Sequence, residues 1–224
     1  MTNSYPPSEL IQYLNQTAVD QRPGDKIPPL HSLSDQLNIS VSRLREQLEA
    51  AKVLGFVDVR PRVGIRRLEY SFTPAVQASL NYAIRLEDKV FEDFLDLRRH
   101  LENAYFLQAG RALTAEDHEE LKTLVAAAWK KLQGTPVRIP HQEHRQFHLT
   151  IYRRLENVFV TGLIEAYWDA YETVGLNVYA DISYLEEVWE YHEKISQSLA
   201  AGRIEEGRQF LKDHFVLLID RLAS

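Results

Sequence analysis

The segment from residue 23 to residue 68 most constrains what this chain can fold into. The leucines of LHSLSDQL have helical spacing, the residues NIS interrupt the pattern, and Ser40 stands where it can cap a second helix. That helix, VSRLREQLEAAKVL, stops at Gly55. FVDVR then alternates apolar and polar residues as a half-buried strand does, and the chain returns as IRRL after a turn at 61–64. The segment therefore predicts two short helices followed by a two-stranded ribbon, which is a winged helix-turn-helix.

Basic side chains are concentrated in the second half of this segment. From residue 40 to residue 67 there are seven Lys or Arg and three Asp or Glu, with arginines on both sides of the ribbon turn. An α-helix fits the major groove of DNA, where polar side chains near its N-terminus reach the base edges and basic residues attract phosphate. A helical hairpin with a solvated basic face is the alternative. The arginine-flanked ribbon favours double-stranded DNA as the partner.

The same segment resembles the N-terminal domain of GntR-type bacterial transcription regulators. Their pattern begins with Pro-Gly-x-x-Leu/Ile-Pro, continues with Ser-x-x-x-x-Arg-Glu at the recognition helix, and ends with a glycine-tipped wing. Here the matching residues are PGDKIP at 23–28, SVSRLRE at 40–46 and the glycine of the wing. By position, the resemblance implies DNA contacts from Ser40, Ser42, Arg43, Arg45, Arg62, Gly64 and His31.

Two residues depart from that family pattern. His31 stands where the family usually has an arginine directed at phosphate, and Val41 stands where an arginine often follows the serine. The resemblance then implies a lower affinity or an altered operator preference.

Charge divides the chain into two unlike parts. Residues 1–68 carry nine Lys or Arg and seven Asp or Glu, a net charge of +2, whereas residues 69–224 carry seventeen and twenty-five, a net charge of -8. No apolar run approaches the roughly 20 residues of a membrane span, and the polar start is not a signal peptide. The absence of cysteine excludes disulfides and thiolate metal sites. We expect a cytoplasmic protein with a DNA-binding domain at 1–68, a linker at 69–74 and a second domain at 75–224.

The rest of the chain predicts helices. A first helix is expected from Tyr5 to Gln21, before the winged segment. Beyond residue 74 the short breaks between long amphipathic segments predict an antiparallel bundle, so the fold class is mainly α. The predicted bundle helices lie at about 75–86, 88–112, 115–133, 140–155, 158–179, 184–201 and 204–222, with ends uncertain by roughly 2–4 residues.

Histidines of the predicted bundle have a spacing that matters for metal chemistry. His144 and His148 are four residues apart and project from one helix face. His192 and His214 lie about ten residues before and about eleven after the break at 202–203, so they stand at a similar height on antiparallel neighbours. Imidazole is the commonest protein ligand of zinc-like metals. Ordinary surface or core histidines are the alternative.

Residues 75–224 also resemble the FCD ligand-binding domain of the FadR/VanR branch of GntR regulators. Metal-binding members carry Asp-x-x-x-His, then a histidine, then another histidine twenty-two positions later. The Phe-His pair ending at His148, the later Asn157 and the twenty-two-residue spacing all match, but His144 replaces the usual aspartate. Loss of that carboxylate favours zinc or nickel over calcium or magnesium. The resemblance implies a divalent metal held by His144, His148, His192 and His214.

The same resemblance indicates a binding site for a small organic acid. Arg98, in DLRRHLE, matches a family arginine that faces the bundle cavity in several members and pairs with a ligand carboxylate, for which a guanidinium is suited. An exposed Arg98–Glu102 pair is the alternative. Other candidates for the cavity lining, which are core residues in the alternative interpretation, are Asn157, Tyr167, Trp168, Tyr171, Asn177 and Tyr179.

These observations favour a homodimeric, ligand-responsive transcription regulator that reads a near-palindromic operator. Repression relieved by ligand is the commonest outcome in the family that the chain resembles. A second hypothesis is a metal-dependent hydrolase, which needs an open coordination position and a general base; the sequence contains no HExxH motif. A third is that the head, given His31 and Val41, no longer binds an operator.

Overall fold

A computed structural model describes residues 8–87, 89–174 and 181–223, with the side chains of these ranges except 172–174 and 218–223. Two compact units divide the chain, Met1–Ala78 and Ser79–Ser224, and each has its own apolar core. The elements in order are α1 (Glu9–Gln16), β1 (Lys26–Ile27), α2 (Leu30–Leu37), α3 (Val41–Val53), β2 (Val57–Arg60), β3 (Gly64–Arg67), α4 (Thr73–Leu86), α5 (Lys89–Ala112), α6 (Ala115–Leu132), α7 (His141–Tyr152), α8 (Val158–Val174), α9 (Ile182–Ala200) and α10 (Ile204–Ala223).

The winged helix-turn-helix of the first unit is confirmed. Asn38 ends α2 in the left-handed conformation, with φ 52°. The Ser40 hydroxyl then accepts a hydrogen bond from the Arg43 backbone N–H at 3.2 Å and so caps α3. Strands β2 and β3 pair antiparallel, with Arg60 opposite Gly64, to form the ribbon. The buried side chains of α2 and α3 are Leu33, Leu44, Leu48 and Ala51.

Two details of this unit differ from the prediction. Strand β1 adds a third strand by pairing Ile27 with Ile65 of β3, and two residues are too short to produce an alternating pattern. Helix α1 runs from Glu9 to Gln16 rather than from Tyr5 to Gln21. The Ser8 hydroxyl accepts from the Ile11 backbone N–H and caps the start. After the last helical turn, backbone N–H groups such as those of Ala18 and Asp20 donate to oxygens only three residues back, so the chain continues as turns.

Gly55, after α3, serves two requirements at once. Its φ of +74° is strained for other residues, and a Cβ there would lie 2.6 Å from Pro74 Cγ. The glycine at the predicted end of α3 therefore also allows Pro74, in the first turn of α4, to pack against the backbone at residue 55.

The second unit is the predicted helical bundle. Its described helices begin and end within a few residues of the predicted positions. Helix α9 packs against α6 and α10, and α5 packs against α7, α8 and α10. Helix α8 was predicted to reach residue 179, but residues 175–180 lie outside the described residues. No helix in the described ranges is long and apolar enough to cross a membrane.

The boundary between the two units lies within α4. The division into 1–68, 69–74 and 75–224 stays a prediction.

Candidate functional site

The exposed face of α3 carries the predicted base-reading residues. Ser42, Arg43 and Arg45 are exposed, whereas Leu44 between them is fully buried. Arg43 also forms an ion pair with Glu9 of α1, at 2.6 Å between Nη2 and Oε1. This helix thus offers a polar, basic surface anchored by an apolar stripe.

The wing adds a second exposed surface. Arg62 and Gly64 are both exposed and have positive φ angles, 63° and 93°, at the ribbon turn. His31 is exposed on α2. Arg67 differs, because its Nη2 donates to Leu14 O at 2.8 Å and ties the ribbon to α1. The basic face counted from the sequence therefore loses Arg67 to a structural role.

Four predicted histidines meet inside the bundle. His144 and His148 come from α7, His192 from α9 and His214 from α10. One nitrogen from each lies within 4.8 Å of those of the other three. His148, His192 and His214 are buried, while His144 is half-buried. Three helices therefore deliver four imidazoles to one point.

Hydrogen bonds fix the tautomers of two of these imidazoles. The Nδ1 of His148 lies 2.8 Å from the Glu102 carboxylate, and the Nδ1 of His192 lies 2.6 Å from Val188 O. Both partners are acceptors, so each Nδ1 carries the proton and each Nε2 keeps a lone pair. The two Nε2 atoms are only 3.2 Å apart. Facing lone pairs at this distance repel each other unless a cation lies between them.

The other two imidazoles have unpaired nitrogens. His144 Nε2 and His214 Nδ1 are buried and have no hydrogen-bond partner among the described residues. Burial, followed by the neighbouring imidazoles, holds the pKa of His144 and of His214 well below the ordinary value. Neutral imidazoles with free lone pairs are the ligands of divalent transition metals, whose bonds of about 2.0–2.1 Å place tetrahedral ligand nitrogens about 3.4 Å apart.

An ion pair lies directly behind the imidazoles. Arg98 Nε donates to Glu102 Oε1 at 2.5 Å, and both side chains are buried, with 2% and 0% exposure. Burial raises the pKa of Glu102, but the charge of Arg98 and the hydrogen bonds from His148 and Arg98 outweigh burial and lower it to about 2. The alternative of an exposed Arg98–Glu102 pair is therefore wrong, because the pair forms inside the core.

Arg98 is enclosed by aromatic rings. Its guanidinium carbon lies 4.1 Å from the Tyr167 ring centroid and 4.6 Å from that of Trp168. Arg98 Nη2 and Trp168 Nε1, both hydrogen-bond donors, have no acceptor at hydrogen-bonding geometry within the described part of the chain. The ring centroids of Trp168 and His144 are 4.7 Å apart, and Arg98 packs on the same Trp168 ring, so this pair of donors lies beside the imidazole cluster.

The other predicted effector residues have different surroundings. Asn157 Oδ1 accepts hydrogen bonds from the backbone N–H groups of Phe159 and Val160, at 3.1 and 3.4 Å, and so caps α8. Tyr171 packs on Trp168 and, with His144, lines a surface cleft. Asn177 and Tyr179 lie outside the described residues.

Sequence reasoning missed the second role of Glu102. Its helical spacing from Arg98 predicts their pairing, but no local pattern indicates that the other carboxylate oxygen faces His148, forty-six residues further on.

Comparison with known proteins shows which family this chain matches. The model of the FCD domain matches residues 93–217, more than half of the chain. HTH-type transcriptional regulator LutR of Bacillus subtilis is 22% identical over 210 residues, which cover 91% of this chain and 94% of LutR. The uncharacterized HTH-type transcriptional regulator YieP of Escherichia coli is 26% identical over 171 residues, 72% of each chain.

Solved structures share the whole fold. A GntR protein of Streptococcus agalactiae has a TM-score of 0.66 at 15% identity, covering 94% of this chain and 97% of its own. McbR/YncC of E. coli has a TM-score of 0.51 at 21% identity, covering 96% and 97%. With the winged helix-turn-helix and the FCD match together, the chain belongs to the FCD-domain branch of the GntR family of transcriptional regulators and is not a metal-dependent hydrolase.

Proposed function

We propose that this regulator is a cytoplasmic homodimeric repressor whose bundle binds a divalent transition metal and a small organic acid. The observation that carries the proposal is the approach of His148 Nε2 to His192 Nε2 at 3.2 Å, with both Nδ1 atoms already committed to acceptors. This approach is repulsive without a cation and favourable around one.

The donor set supports zinc or nickel. Four imidazole nitrogens and no carboxylate meet at the cluster, and such ligands suit zinc, copper and nickel better than calcium or magnesium. Glu102 orients His148 from behind, as outer-shell carboxylates do for metal-bound histidines. A bound metal would supply a positive charge to which a carboxylate ligand can attach. Arg98, with a free Nη2 donor, would supply a second attachment point.

Metal content tests this half of the proposal. Protein purified without added chelator should contain metal in proportion to chain, and His148→Ala combined with His192→Ala should remove it, because the two nearest ligands are lost. His100→Ala is the matched control, since His100 is exposed on α5. Stoichiometric metal retained by the double variant would exclude the site.

DNA recognition rests on the exposed face of α3 and on the wing. Because one short helix reads few bases, such readers bind as twofold dimers on near-palindromic sites. Capture of fragments from genomic DNA should enrich a near-palindromic sequence with the wild-type protein and not with Arg43→Ala/Arg45→Ala. Absence of any enriched sequence with the wild type would favour a head that no longer binds an operator.

The proposed regulation is a population shift. An acid bound between the metal and Arg98 would stabilise one bundle geometry, and a ligand can shift an equilibrium only through such a difference in affinity. Even a small change in the spacing of the two heads of a dimer would misalign one of them with its half-site. Loss of operator affinity on ligand binding is the expected sign.

A further inference from the structure

The buried charges of the bundle do not balance around a divalent metal, and from this imbalance we infer that the ligand of this protein is a dianion, of the short dicarboxylate class. The inference deepens the proposed function and rests on its metal site. It adds the charge of the ligand, which the family match does not specify.

The buried groups at the site carry no net charge of their own. Arg98 and Glu102 cancel each other as a buried pair. The four imidazoles contribute no charge when they bind a metal, because a coordinating nitrogen must be unprotonated. A divalent ion therefore leaves the interior with two uncompensated positive charges.

No other carboxylate of the described residues supplies the missing charge. Besides Glu102, the only buried carboxylate in these ranges is Asp117. Asp117 is already paired with Arg153 and Arg154. Uncompensated charge in a protein interior is strongly unfavourable, so the two positive charges require an anionic partner.

Unpaired donors beside the cluster support the same conclusion independently. Arg98 Nη2 and Trp168 Nε1 can only donate hydrogen bonds, and neither has an acceptor among the described residues. A carboxylate offers acceptors to such donors, and a second carboxylate can attach to the metal if the ion adds a fifth ligand to the four imidazoles. Two acidic groups on one small molecule would thus satisfy both the charge and the donors.

The cluster comes closest to solvent on the His144 side. His144 is half-buried and shares a surface cleft with Pro140, His141 and Tyr171, whereas the other three imidazoles are buried. His144 is therefore the position at which an added charge would least disturb the core. His144→Asp would place one negative charge at the cluster and leave one positive charge to be balanced.

The test compares ligands that differ in one carboxylate. Full-length protein is loaded with Zn²⁺, its zinc content is measured, and calorimetry then compares malonate with propionate and succinate with butyrate. At least one dianion should bind about tenfold or more tightly than its monoanionic partner. His144→Asp should retain zinc and reduce this ratio about tenfold, while His100→Gln, at an exposed histidine of α5, should leave the ratio unchanged.

The outcomes separate the two proposals. Absence of zinc from the wild-type protein contradicts the metal site itself. Zinc-loaded protein that binds monoanions as tightly as dianions, or binds none of the four acids, overturns the dianion inference and leaves the metal site standing. The wild-type ratio decides the question even where His144→Asp does not fold.

Discussion

Each unit of the molecule contains an arginine held by a glutamate, and the two pairs differ in burial. In the head, Arg43 and Glu9 meet at 2.6 Å with 59% and 32% of their side chains exposed. In the bundle, Arg98 and Glu102 meet at 2.5 Å with 2% and 0% exposed. Because water screens the first pair and not the second, the same chemistry has two different consequences.

The exposed pair can be exchanged and the buried pair cannot. Opening the Arg43–Glu9 pair costs little, so in the proposed DNA contact of Arg43 a phosphate or base edge would take the place of the glutamate. Opening the Arg98–Glu102 pair would leave an unpartnered charge in the core. The head thus keeps its charges available for a partner, whereas the bundle uses its charges to hold a fixed site.

Removing the buried carboxylate should have the largest effect. Glu102→Ala leaves both Arg98 and the Nδ1–H of His148 without an acceptor, and breaking such a pair costs about 3–5 kcal/mol. We expect the free energy of unfolding, measured with urea, to fall by this amount. Glu119→Ala, which removes an exposed partner of Lys122, is the control and should match the wild type. Equal stability of the two variants would contradict the role given to burial.

Removing the negative charge of Asp117 should reduce stability by an intermediate amount. Its buried carboxylate accepts hydrogen bonds from Arg153, from Arg154 and from the backbone N–H of Thr114, the N-cap of α6, and the two arginines are partly exposed. Asp117→Asn should lower the free energy of unfolding by about 2 kcal/mol, less than the loss in the core. Glu116→Gln, a neighbouring exposed acid, should have no measurable effect.

The pH dependence of this loss has a definite sign. Burial raises the pKa of Asp117, but the bonds from Arg154, Thr114 and Arg153 outweigh it and hold the pKa well below the ordinary value. A lowered folded-state pKa gives stability that is present above the unfolded pKa of about 4 and is lost as the pH falls further. The difference between wild type and Asp117→Asn should therefore be constant near neutral pH and shrink below about pH 4. A difference that grows on acidification would refute this assignment.

The exposed pair should produce the smallest effect, seen in DNA binding rather than in stability. Glu9→Gln frees Arg43 while keeping the shape that contacts Gln47. Operator affinity should rise about two- to five-fold, because a competing carboxylate is removed. Glu46→Gln removes the same charge from α3 without touching Arg43 and should change the affinity less. An unchanged affinity for Glu9→Gln would show that Arg43 does not leave Glu9 on DNA.

Local patterns predict the parts of this molecule that depend on neighbouring residues. The winged fold follows from periodicity, a capping serine and Gly55. Spacing also places His144 with His148 and His192 with His214, whereas the meeting of these two pairs is indicated by the family resemblance. Long-range side-chain partners do not follow. The contacts of Glu102 with His148 and of Asp117 with Arg153 join residues 46 and 36 positions apart, and the helix rotation that creates them is set by tertiary packing.

Burial is the other property that spacing leaves open. An Arg98–Glu102 pair has the same sequence spacing on a solvated face as in a core, and only packing decides between them. Strand β1 could not be predicted for a similar reason. Its two residues form a strand only because they pair with β3, which lies far away in the sequence.

Anomalous X-ray scattering from crystals of the purified protein, recorded on both sides of the zinc and nickel absorption edges, would locate the metal ion itself. A metal held by the imidazole cluster gives one strong peak enclosed by His144, His148, His192 and His214, at about 2.0–2.1 Å from each coordinating nitrogen. Metal-replete crystals without a peak at these imidazoles, or with the metal bound elsewhere, would contradict the proposed metal site.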